Sequence, residues 1–495
     1  MRLPRSVSTR LRGDYRVRRL ARRAGRGYVQ RRRAVPDRPV GGKFELTYAC
    51  NLRCDFCYTD SPRRTLERAT DLSDDAWRRA IDEAIELGII EAVVTGGEPL
   101  LRRDLTLEIV ERLSSAGVAV SLNTNGWFVD EAVADRLAAF PSLTVHISID
   151  GPTPEIHDAA RGVPGSWRRA VRAIDLLIAR GVDHSVNHVI TPLNEAAVPD
   201  FLEQMWLLGV TLVRMTPVVL AGAASRVDGW EVDRTALRKL ADEAPDRYGE
   251  EFGVLLQTGD VEQIAYQDVR VPGTFLVRPN GAVRLDSITP FSFGRVEDGL
   301  ASCWRRIAAD WRHQDILDWA GGMKSSSDLG EAAVVPYADD EVEVGAGRLA
   351  RARAKLAPRL PKRGADSTVA PPDSGDVATA RAAVVDRLRA RRHRAAPLRW
   401  AGSQDDERLV RLISNGKVFR LSRTAGQLLD ALDGATVGEA LDELAARYPG
   451  VDPSTLERDT VGILRWLVAR GVLRPDGAPA PAVVEAREAV PVAGP

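Results

Sequence analysis

Tyr48-Ala-Cys50-Asn-Leu-Arg-Cys54-Asp-Phe-Cys57-Tyr58 is the segment from which the fold of this chain can be predicted, because it gathers three cysteines in the spacing C-x3-C-x2-C. Three thiolates on one loop are typical of a metal site. A closed zinc site takes four ligands, whereas a [4Fe–4S] cluster on three thiolates leaves one iron open to an outside ligand. The alternatives are three buried or chance cysteines, or a zinc site completed by a distant histidine.

Around this segment, from Gly42 to about Met215, short apolar runs alternate with amphipathic stretches. That alternation is typical of βα units on a parallel sheet. Six units are too few for a full eight-stranded barrel, so we expect an α/β fold built on a partial (βα)6 TIM-like barrel. The predicted strands are Lys43–Leu46, Ile90–Thr95, Val118–Asn123, Leu143–Ile149, His184–Ile190 and Thr211–Met215.

A glycine-rich motif, Thr95-Gly96-Gly97-Glu98-Pro99, follows the second predicted strand. Glycines let the main chain approach a ligand closely, and a carboxylate facing an ammonium forms a charge-assisted hydrogen bond. The motif alone is more often a turn than a site. Its position one βα unit after the cysteines favours a binding function.

Together these motifs resemble the radical S-adenosylmethionine (SAM) superfamily, over about residues 42–216. Its members bind a [4Fe–4S] cluster through C-x3-C-x2-C after the first strand of a partial barrel. The resemblance implies that Cys50, Cys54 and Cys57 are the cluster ligands. It also implies that SAM chelates the open iron through its methionyl amine and carboxylate and is cleaved reductively into methionine and a 5′-deoxyadenosyl radical.

The same resemblance implies further cofactor-binding residues. Gly96, Gly97, Glu98 and Pro99 match the family's GGEP motif, whose backbone and carboxylate receive the ammonium of SAM. Other candidates lie beside the last cysteine or at the ends of later strands, where parallel βα folds bind their ligands. They are Phe56 near the adenine, Asn123 in the cofactor pocket, Ser148 at the ribose, and Asn187 at the ribose or carboxylate.

Each of these candidates also has a plain structural alternative. Phe56 could be core packing, and Ser148 could cap the next helix. A further loop, His157-Asp158 with Arg161-Gly162, resembles one that is common in the peptide-modifying branch of the superfamily. The sequence assigns no role to the residues of that loop.

A small α+β region is expected over residues 217–326, with a hairpin around Asn280-Gly281. It resembles the SPASM or twitch region of the peptide-modifying branch, which usually binds auxiliary clusters through extra cysteines. Only Cys303 is present here, and one thiol cannot hold a cluster, so we expect none. Cys303 is a candidate hydrogen-atom donor to a substrate radical, although a lone cysteine is more often buried packing.

After a predicted linker at residues 327–396, residues 397–477 resemble the small winged-helix-like PqqD module that recognises precursor peptides. Two strands flank Asn415-Gly416, and three helices follow, with Ser422 as the first N-cap and Thr436 with Glu439 as a capping box on the second. Such modules bind a leader peptide by adding it as a strand to a sheet edge. A helical packing domain or a DNA-binding winged helix is the alternative, although no concentrated basic helix is present.

Composition bounds the remaining possibilities. The 495 residues carry 69 basic and 69 acidic side chains, so we expect no nucleic acid partner for the chain as a whole. Thirteen arginines and a single acid, Asp14, occupy residues 1–33, and we expect residues 1–41 to be a disordered basic arm and residues 478–495 a disordered tail. Four cysteines cannot form a disulfide framework, and no apolar run of about 18 residues occurs. We therefore expect a cytoplasmic protein that has no contact with a membrane.

The functional hypothesis is a radical SAM enzyme that modifies a ribosomally made precursor peptide captured by the PqqD-like module. The partners implied are the leader peptide and an electron donor of the flavodoxin or ferredoxin type. The same chemistry on a small metabolite or sugar is one alternative. A non-catalytic peptide-binding scaffold, or a winged-helix regulator with a structural iron–sulfur cluster, is another.

Overall fold

The computed structural model describes the greater part of the chain between residues 35 and 476. Residues 1–34 and 477–495 lie outside the described residues, and so does the expectation of disorder for them. The expected arm ended at residue 41, but residues 35–41 are ordered, since the Val40 amide donates to the Gly273 carbonyl and Gly41 begins the first strand. The described ranges are 35–61, 71–140, 142–227, 229–230, 232–249, 251–257, 272–287, 291–320, 342–343, 374–395, 398–404, 407–412, 418–432, 435–469 and 472–476.

The six predicted strands are confirmed, each with its ends within two residues of the prediction. They lie parallel and adjacent in chain order, which is the arrangement of a partial barrel. Because each connection returns the chain to the same edge, all six carboxyl ends lie together there. The strands are β1 (Gly41–Glu45), β2 (Glu91–Thr95), β3 (Ala119–Thr124), β4 (Leu143–Ser148), β5 (His184–Ile190) and β6 (Leu212–Pro217).

The connecting helices form because their apolar residues recur at helical spacing behind capped N-termini. In the first helix Ser73 accepts a hydrogen bond from the Ala76 amide, and Trp77 and Ile81 are fully buried. The helices between the strands are α1 (Asp74–Glu86), α2 (Arg103–Ser115), α3 (Glu131–Ala138), α4 (Pro154–Arg161), α5 (Ser166–Ala179) and α6 (Val198–Leu208).

The sheet extends past β6, where the sequence predicted that the βα rhythm fades. Helix α7 (Arg234–Tyr248) leads to β7 (Gly253–Leu256), which pairs parallel with β6. Two features explain why this unit was not predicted from the sequence. Pro245 lies inside the last turn of α7, and β7 has only four residues.

At the opposite edge the region after residue 271 joins the same sheet. β8 (Thr274–Val277) pairs parallel with β1 and antiparallel with β9 (Ala282–Arg284), so the predicted hairpin around Asn280-Gly281 is confirmed. β10 (Phe291–Arg295) and β11 (Val342–Glu343) complete this edge, and α8 (Leu300–Asp310) and α9 (Gln314–Ala320) follow β10. One continuous apolar core serves both regions.

The C-terminal module contains the predicted strands and helices. β14 (Glu407–Leu412) and β15 (Val418–Leu421) flank Asn415-Gly416, whose own placement lies outside the described residues, and β13 (Leu398–Gln404) pairs with β14. The cap at Ser422 and the capping box at Thr436 and Glu439 are confirmed. The helices are α11 (Arg423–Ala431), α12 (Val437–Arg447) and α13 (Pro453–Ala469), and a strand pair joins β12 (His393–Ala395) to β16 (Leu473–Pro475).

The predicted linker contains a helix, α10 (Ser374–Arg389), that packs against α6 of the barrel and α12 of the C-terminal module. At its end Arg387 and Arg391 pair with Asp175 of α5 at 2.6 and 2.7 Å. The module is therefore held against the outer helices of the barrel. None of the helices in the described part of the chain is long and apolar enough to cross a membrane.

Candidate functional site

The cysteine loop lies at the carboxyl end of β1, at the edge where the parallel strands end. Cys54 is buried, and Cys50 and Cys57 are half-buried. An apolar cluster separate from the main core surrounds the loop. Its buried members are Leu52, Cys54, Phe56, Ala160, Val218, Ala224 and Trp230.

The glycine-rich motif after β2 packs directly on the start of this loop. The Gly97 amide donates to the Thr47 carbonyl at 2.7 Å, and the Glu98 amide donates to the Ala49 carbonyl at 2.8 Å. A side chain at position 97 would place its Cβ 2.2 Å from the Ala49 oxygen. Glycine is therefore required at this position so that the backbone just before Cys50 can approach.

Two further glycines hold the rest of the loop. Gly162 and Gly222 have φ values of +68° and +58°, which favour glycine, and a Cβ on either would meet loop carbonyls at 2.7 and 2.4 Å. Beside them, the Arg53 amide donates to the Arg161 carbonyl at 2.9 Å, and the Ala223 amide donates to the Cys57 carbonyl at 2.8 Å. The loop is thus held at its start by the segment after β2, at its middle by the C-terminus of α4 and at its end by the segment after β6.

Each thiol has a hydrogen-bond partner. The Leu52 amide donates to the Cys50 sulfur at 3.4 Å, the Arg161 guanidinium donates to the Cys54 sulfur at 3.7 Å, and the Thr59 hydroxyl lies 3.1 Å from the Cys57 sulfur. Donors to thiolate sulfur stabilise and tune iron–sulfur clusters.

Three ionised thiols would be costly in this buried loop unless a cation were bound to them. Burial raises the pKa of Cys50 well above its usual value, with neighbouring Cys54 adding to the shift, and burial raises the pKa of Cys54 to about 12. A metal centre that displaces these protons removes the repulsion between the thiolates. Among the described residues no three metal-ligating side chains converge on one ion. A cubane cluster does not require such convergence, because each thiolate binds a different iron. The residues present fit a [4Fe–4S] cluster.

Glu98 lies beside this loop and is 1 % exposed. Its carboxylate accepts hydrogen bonds from the Leu100 amide at 3.0 Å, the Thr124 hydroxyl at 2.7 Å and the Asn125 amide at 2.8 Å, and so joins the ends of β2 and β3. Burial nevertheless raises the pKa of Glu98 to about 7. A carboxylate has about four acceptor positions, so one position is left for a cation such as an ammonium, which would offset the cost of burying the charge.

One face of the sheet carries polar side chains instead of apolar ones. Asn123 lies opposite His146, His146 opposite Ser185, and Ser148 opposite Asn187, so these five residues share a face. The apolar residues of the same strands point to the other face and pack in the core with the helices. The Asn123 Oδ1 atom is buried and has no hydrogen-bond partner among the described residues. This face fits a polar ligand.

Comparison with known proteins identifies the two parts of the chain. Residues 44–205 match the model of the radical SAM superfamily, and residues 405–473 match that of coenzyme PQQ synthesis protein D, PqqD. The chain thus carries a radical SAM domain and a PqqD domain. The recognition made from the sequence is confirmed for both.

Curated relatives match the radical SAM domain only in part of their length. The chain is 37 % identical to mycofactocin maturase MftC of Mycobacterium ulcerans over 207 residues, which are 41 % of this chain and 54 % of that protein. It is 32 % identical to PqqA peptide cyclase of Granulibacter bethesdensis over 37 % of this chain and 48 % of that protein. The chain thus spans about half the length of the curated relatives it matches.

A solved structure, SuiB of Streptococcus suis bound to precursor peptide SuiA, overlaps 67 % of this chain and 79 % of that chain. The TM-score is 0.48 and the sequence identity 11 %. The domain assignment therefore rests on the family models and on the fold described above.

The radical SAM domain places most of the predicted site residues at one edge. The three cysteines and Gly96 to Pro99 lie in contact at the ends of β1 and β2, and Asn123, Ser148 and Asn187 lie on the polar face. Phe56 packs in the apolar cluster, and the Arg161 guanidinium carbon lies over the Phe56 ring, 5.1 Å from the ring centroid. The roles given to these residues in cofactor binding stay predictions.

Cys303 lies away from these residues, on α8. It is fully buried, and its thiol lies 3.3 Å from the Arg295 carbonyl as a hydrogen-bond donor. Burial raises its pKa to about 12, with Asp298 adding to the shift. The hydrogen-donor role stays a prediction, and this packing environment does not support it.

The sequence did not assign the loop that carries His157, Asp158 and Arg161. The structure places all three. His157 accepts a hydrogen bond from the Asp150 amide at 2.9 Å, and Asp158 accepts from the Gly165 and Trp167 amides at the start of α5. Arg161 alone reaches a predicted cluster ligand. The resemblance of this loop to family sequences was a signal for these residues, whereas nothing in the sequence pointed to Gly222.

Proposed function

We propose that this protein is a radical SAM enzyme that modifies a ribosomally made precursor peptide, which its PqqD domain captures by the leader segment. The observation that carries the proposal is the loop of three thiols held beside a buried carboxylate and a polar sheet face, in a chain that also contains a PqqD domain. The matched relatives include a maturase and a peptide cyclase, which supports a peptide as the substrate.

In this proposal Cys50, Cys54 and Cys57 bind three irons of one cluster, and Glu98 accepts the ammonium of SAM. Asn123, Ser148 and Asn187 bind the ribose or the carboxylate from the polar face. When bound, the cluster supplies the single electron that cleaves SAM to methionine and a 5′-deoxyadenosyl radical, which abstracts a hydrogen atom from the peptide. The electron comes from a flavodoxin- or ferredoxin-type protein in the reducing cytoplasm.

The apolar cluster around the loop would keep water from the radical. Leu52 and Phe56 of the loop are buried together with Trp230 from the segment after β6, and Trp127 and Leu193 pack against this cluster from the ends of β3 and β5. Exclusion of water protects a reactive intermediate from side reactions.

The PqqD domain would supply the peptide. Its sheet has the order β13-β14-β15, so β13 and β15 are edge strands to which a leader segment can be added. The domain is held against the barrel because α10 packs on α6, and Arg387 and Arg391 pair with Asp175 of α5. Capture on the same molecule raises the effective concentration of the peptide at the barrel.

The test is anaerobic reconstitution with iron and sulfide, followed by dithionite and SAM, with 5′-deoxyadenosine as the product measured. We expect about four irons per chain and cleavage that is lost in Cys54→Ala and retained in the matched control Cys303→Ala. A wild-type protein with an intact cluster and no cleavage would contradict the enzyme and favour a scaffold.

The peptide is tested separately with synthetic peptides that correspond to short reading frames beside the gene. We expect one of them to bind the full chain and to acquire a change in mass that depends on SAM. Cleavage of SAM with modification of a small metabolite or sugar, and no peptide binding, would contradict the peptide assignment alone.

A further inference from the structure

A charged side chain, Arg161, reaches the Cys54 thiol. Arg161 is the last residue of α4, and its side chain is 10 % exposed. One guanidinium nitrogen donates to the Cys54 sulfur at 3.7 Å, and the group lies over the Phe56 ring. At the other two thiols, the Leu52 amide donates to the Cys50 sulfur and the Thr59 hydroxyl lies beside the Cys57 sulfur.

The guanidinium is held in this position by Asp150. The Arg161 Nε atom forms an ion pair with the Asp150 carboxylate, which is fully buried just after the end of β4. Asp150 is itself held by hydrogen bonds, because its carboxylate accepts from the Val189 amide at 2.7 Å and its carbonyl accepts from the Asn194 amide group at 2.8 Å. A rigid Asp150–Arg161–Cys54 chain therefore runs from the sheet to the cysteine loop.

We propose that Arg161 is a positioning residue that sets the reduction potential of the cluster through Cys54, and that Asp150 opposes it. This inference rests on the proposed function only in that it requires the cluster. A reduced [4Fe–4S] cluster carries one more negative charge than the oxidised cluster, so a cation and donor at a ligand sulfur favours the reduced form. The Asp150 carboxylate disfavours that form, and Arg161 shields the cluster from it.

The two side chains therefore have effects of opposite sign. Loss of Arg161 removes the donor and leaves the Asp150 charge uncompensated, so reduction becomes harder. Asp150→Asn removes the negative charge but keeps an amide oxygen that can accept from the Arg161 Nε atom, so the cation stays at Cys54 and reduction becomes easier. A merely structural ion pair would give no such difference in sign. The backbone contact of the loop survives in every variant, because the Arg53 amide bonds to the Arg161 carbonyl and not to its side chain.

The experiment is a redox titration of the reconstituted full-length protein without SAM, followed by electron paramagnetic resonance of the reduced cluster. We expect Arg161→Met to lower the ratio of reduced to oxidised cluster about tenfold at a fixed potential, which is about 59 mV for one electron. Asp150→Asn should raise the ratio. The reduction potential of Arg161→Lys should lie close to that of the wild type. Arg169→Met, which removes an exposed arginine from above Trp127, is the control and should have the wild-type potential.

A full complement of iron with an unchanged potential in Arg161→Met would overturn the proposal. If Arg161→Met loses its iron, the Asp150→Asn variant becomes the test. A reduction potential in Asp150→Asn that is unchanged or lower than that of the wild type would also overturn the proposal. Loss of the cluster in Arg161→Lys and in Asp150→Asn alike would show a structural role and would equally reject it. Failure of the proposed function is distinguishable, because it would appear as a wild-type protein without a cluster or without SAM cleavage.

Discussion

The guanidinium of Arg465, in the third helix of the PqqD domain, donates a 2.7 Å hydrogen bond to the Trp206 carbonyl at the end of α6 in the barrel. It also donates to the Val210 carbonyl at 2.6 Å, and it lies over the Phe252 ring. Burial lowers the pKa of Arg465 to about 9, so its charge is costly at this position. The Trp206 and Val210 carbonyl oxygens, at and just beyond the C-terminus of α6, offset part of that cost by accepting these hydrogen bonds where the helix end carries partial negative charge.

Arg465→Met should loosen the attachment between the two domains. The substitution keeps much of the apolar packing but removes the guanidinium donor from the Val210 carbonyl and one of two donors from the Trp206 carbonyl, which keeps the Gly209 amide. We expect a loss of about 1–3 kcal/mol. We expect faster amide hydrogen exchange at the end of α6 and a lower free energy of unfolding. Exchange unchanged from wild type would mean that the interface does not depend on this residue. Arg458→Met is the matched control, because Arg458 lies over the same Trp206 ring in the same helix.

Gly97→Ala should prevent assembly of the cluster. The added Cβ would lie 2.2 Å from a backbone oxygen of the cysteine loop, which cannot move aside as a flexible side chain could. We expect iron per chain to fall severely after reconstitution, while the far-ultraviolet circular dichroism is retained. Gly462→Ala, in α13 with open space around the new methyl group, should bind iron as the wild type does. Normal iron content in Gly97→Ala would show that the loop has another way to pack.

The sequence predicted the barrel well because the apolar periodicity of β1 to β6 and of their helices is regular and local. It also predicted the two motifs that meet at the site, since C-x3-C-x2-C and Gly-Gly-Glu-Pro each follow a strand. The contacts that hold the two motifs together could not be predicted from the sequence. Gly222 touches Cys57 across 165 positions of chain, and a lone glycine after a strand carries no sign of its partner.

The same limit explains why β7 and the role of Arg161 were missed. β7 is four residues long and is preceded by a helix with a proline in its last turn, so its local signal is weak. Arg161 was visible in a family-like loop, but its two partners, Asp150 and Cys54, lie on different elements. Only the folded sheet brings all three together.

Glu98 should make the stability of the iron-free protein depend on pH. Its folded pKa of about 7 lies above the usual value of 4.5, so the folded state binds the proton more tightly than the unfolded state. The contribution is full below about pH 4.5 and is lost as the pH rises through 7, a change of about 3 kcal/mol at most. The free energy of unfolding of wild type minus that of Glu98→Gln should therefore fall between pH 5 and pH 7.5.

The comparison with Glu98→Gln is needed because buried histidines act in the opposite direction. Burial lowers the pKa of His157 and His188, and that of His393 to about 4. Their contribution to stability is lost as the pH falls below 6.5. These histidines are present in both proteins, so their effect cancels in the difference. A difference that stays flat with pH would show that Glu98 is ionised throughout this range.

Cys303→Ala should leave both the cluster and SAM cleavage intact. The thiol is fully buried on α8, and as a hydrogen-bond donor it lies near the Arg295 carbonyl, so its loss removes packing and one hydrogen bond rather than a group in reach of a radical. We expect about 1–3 kcal/mol of destabilisation, seen as a lower midpoint of unfolding in urea. Iron content and the rate of 5′-deoxyadenosine formation should match wild type. A variant that cleaves SAM normally but no longer completes the modification of a bound peptide would restore Cys303 as the hydrogen donor, because only the quenching of a substrate radical depends on such a group.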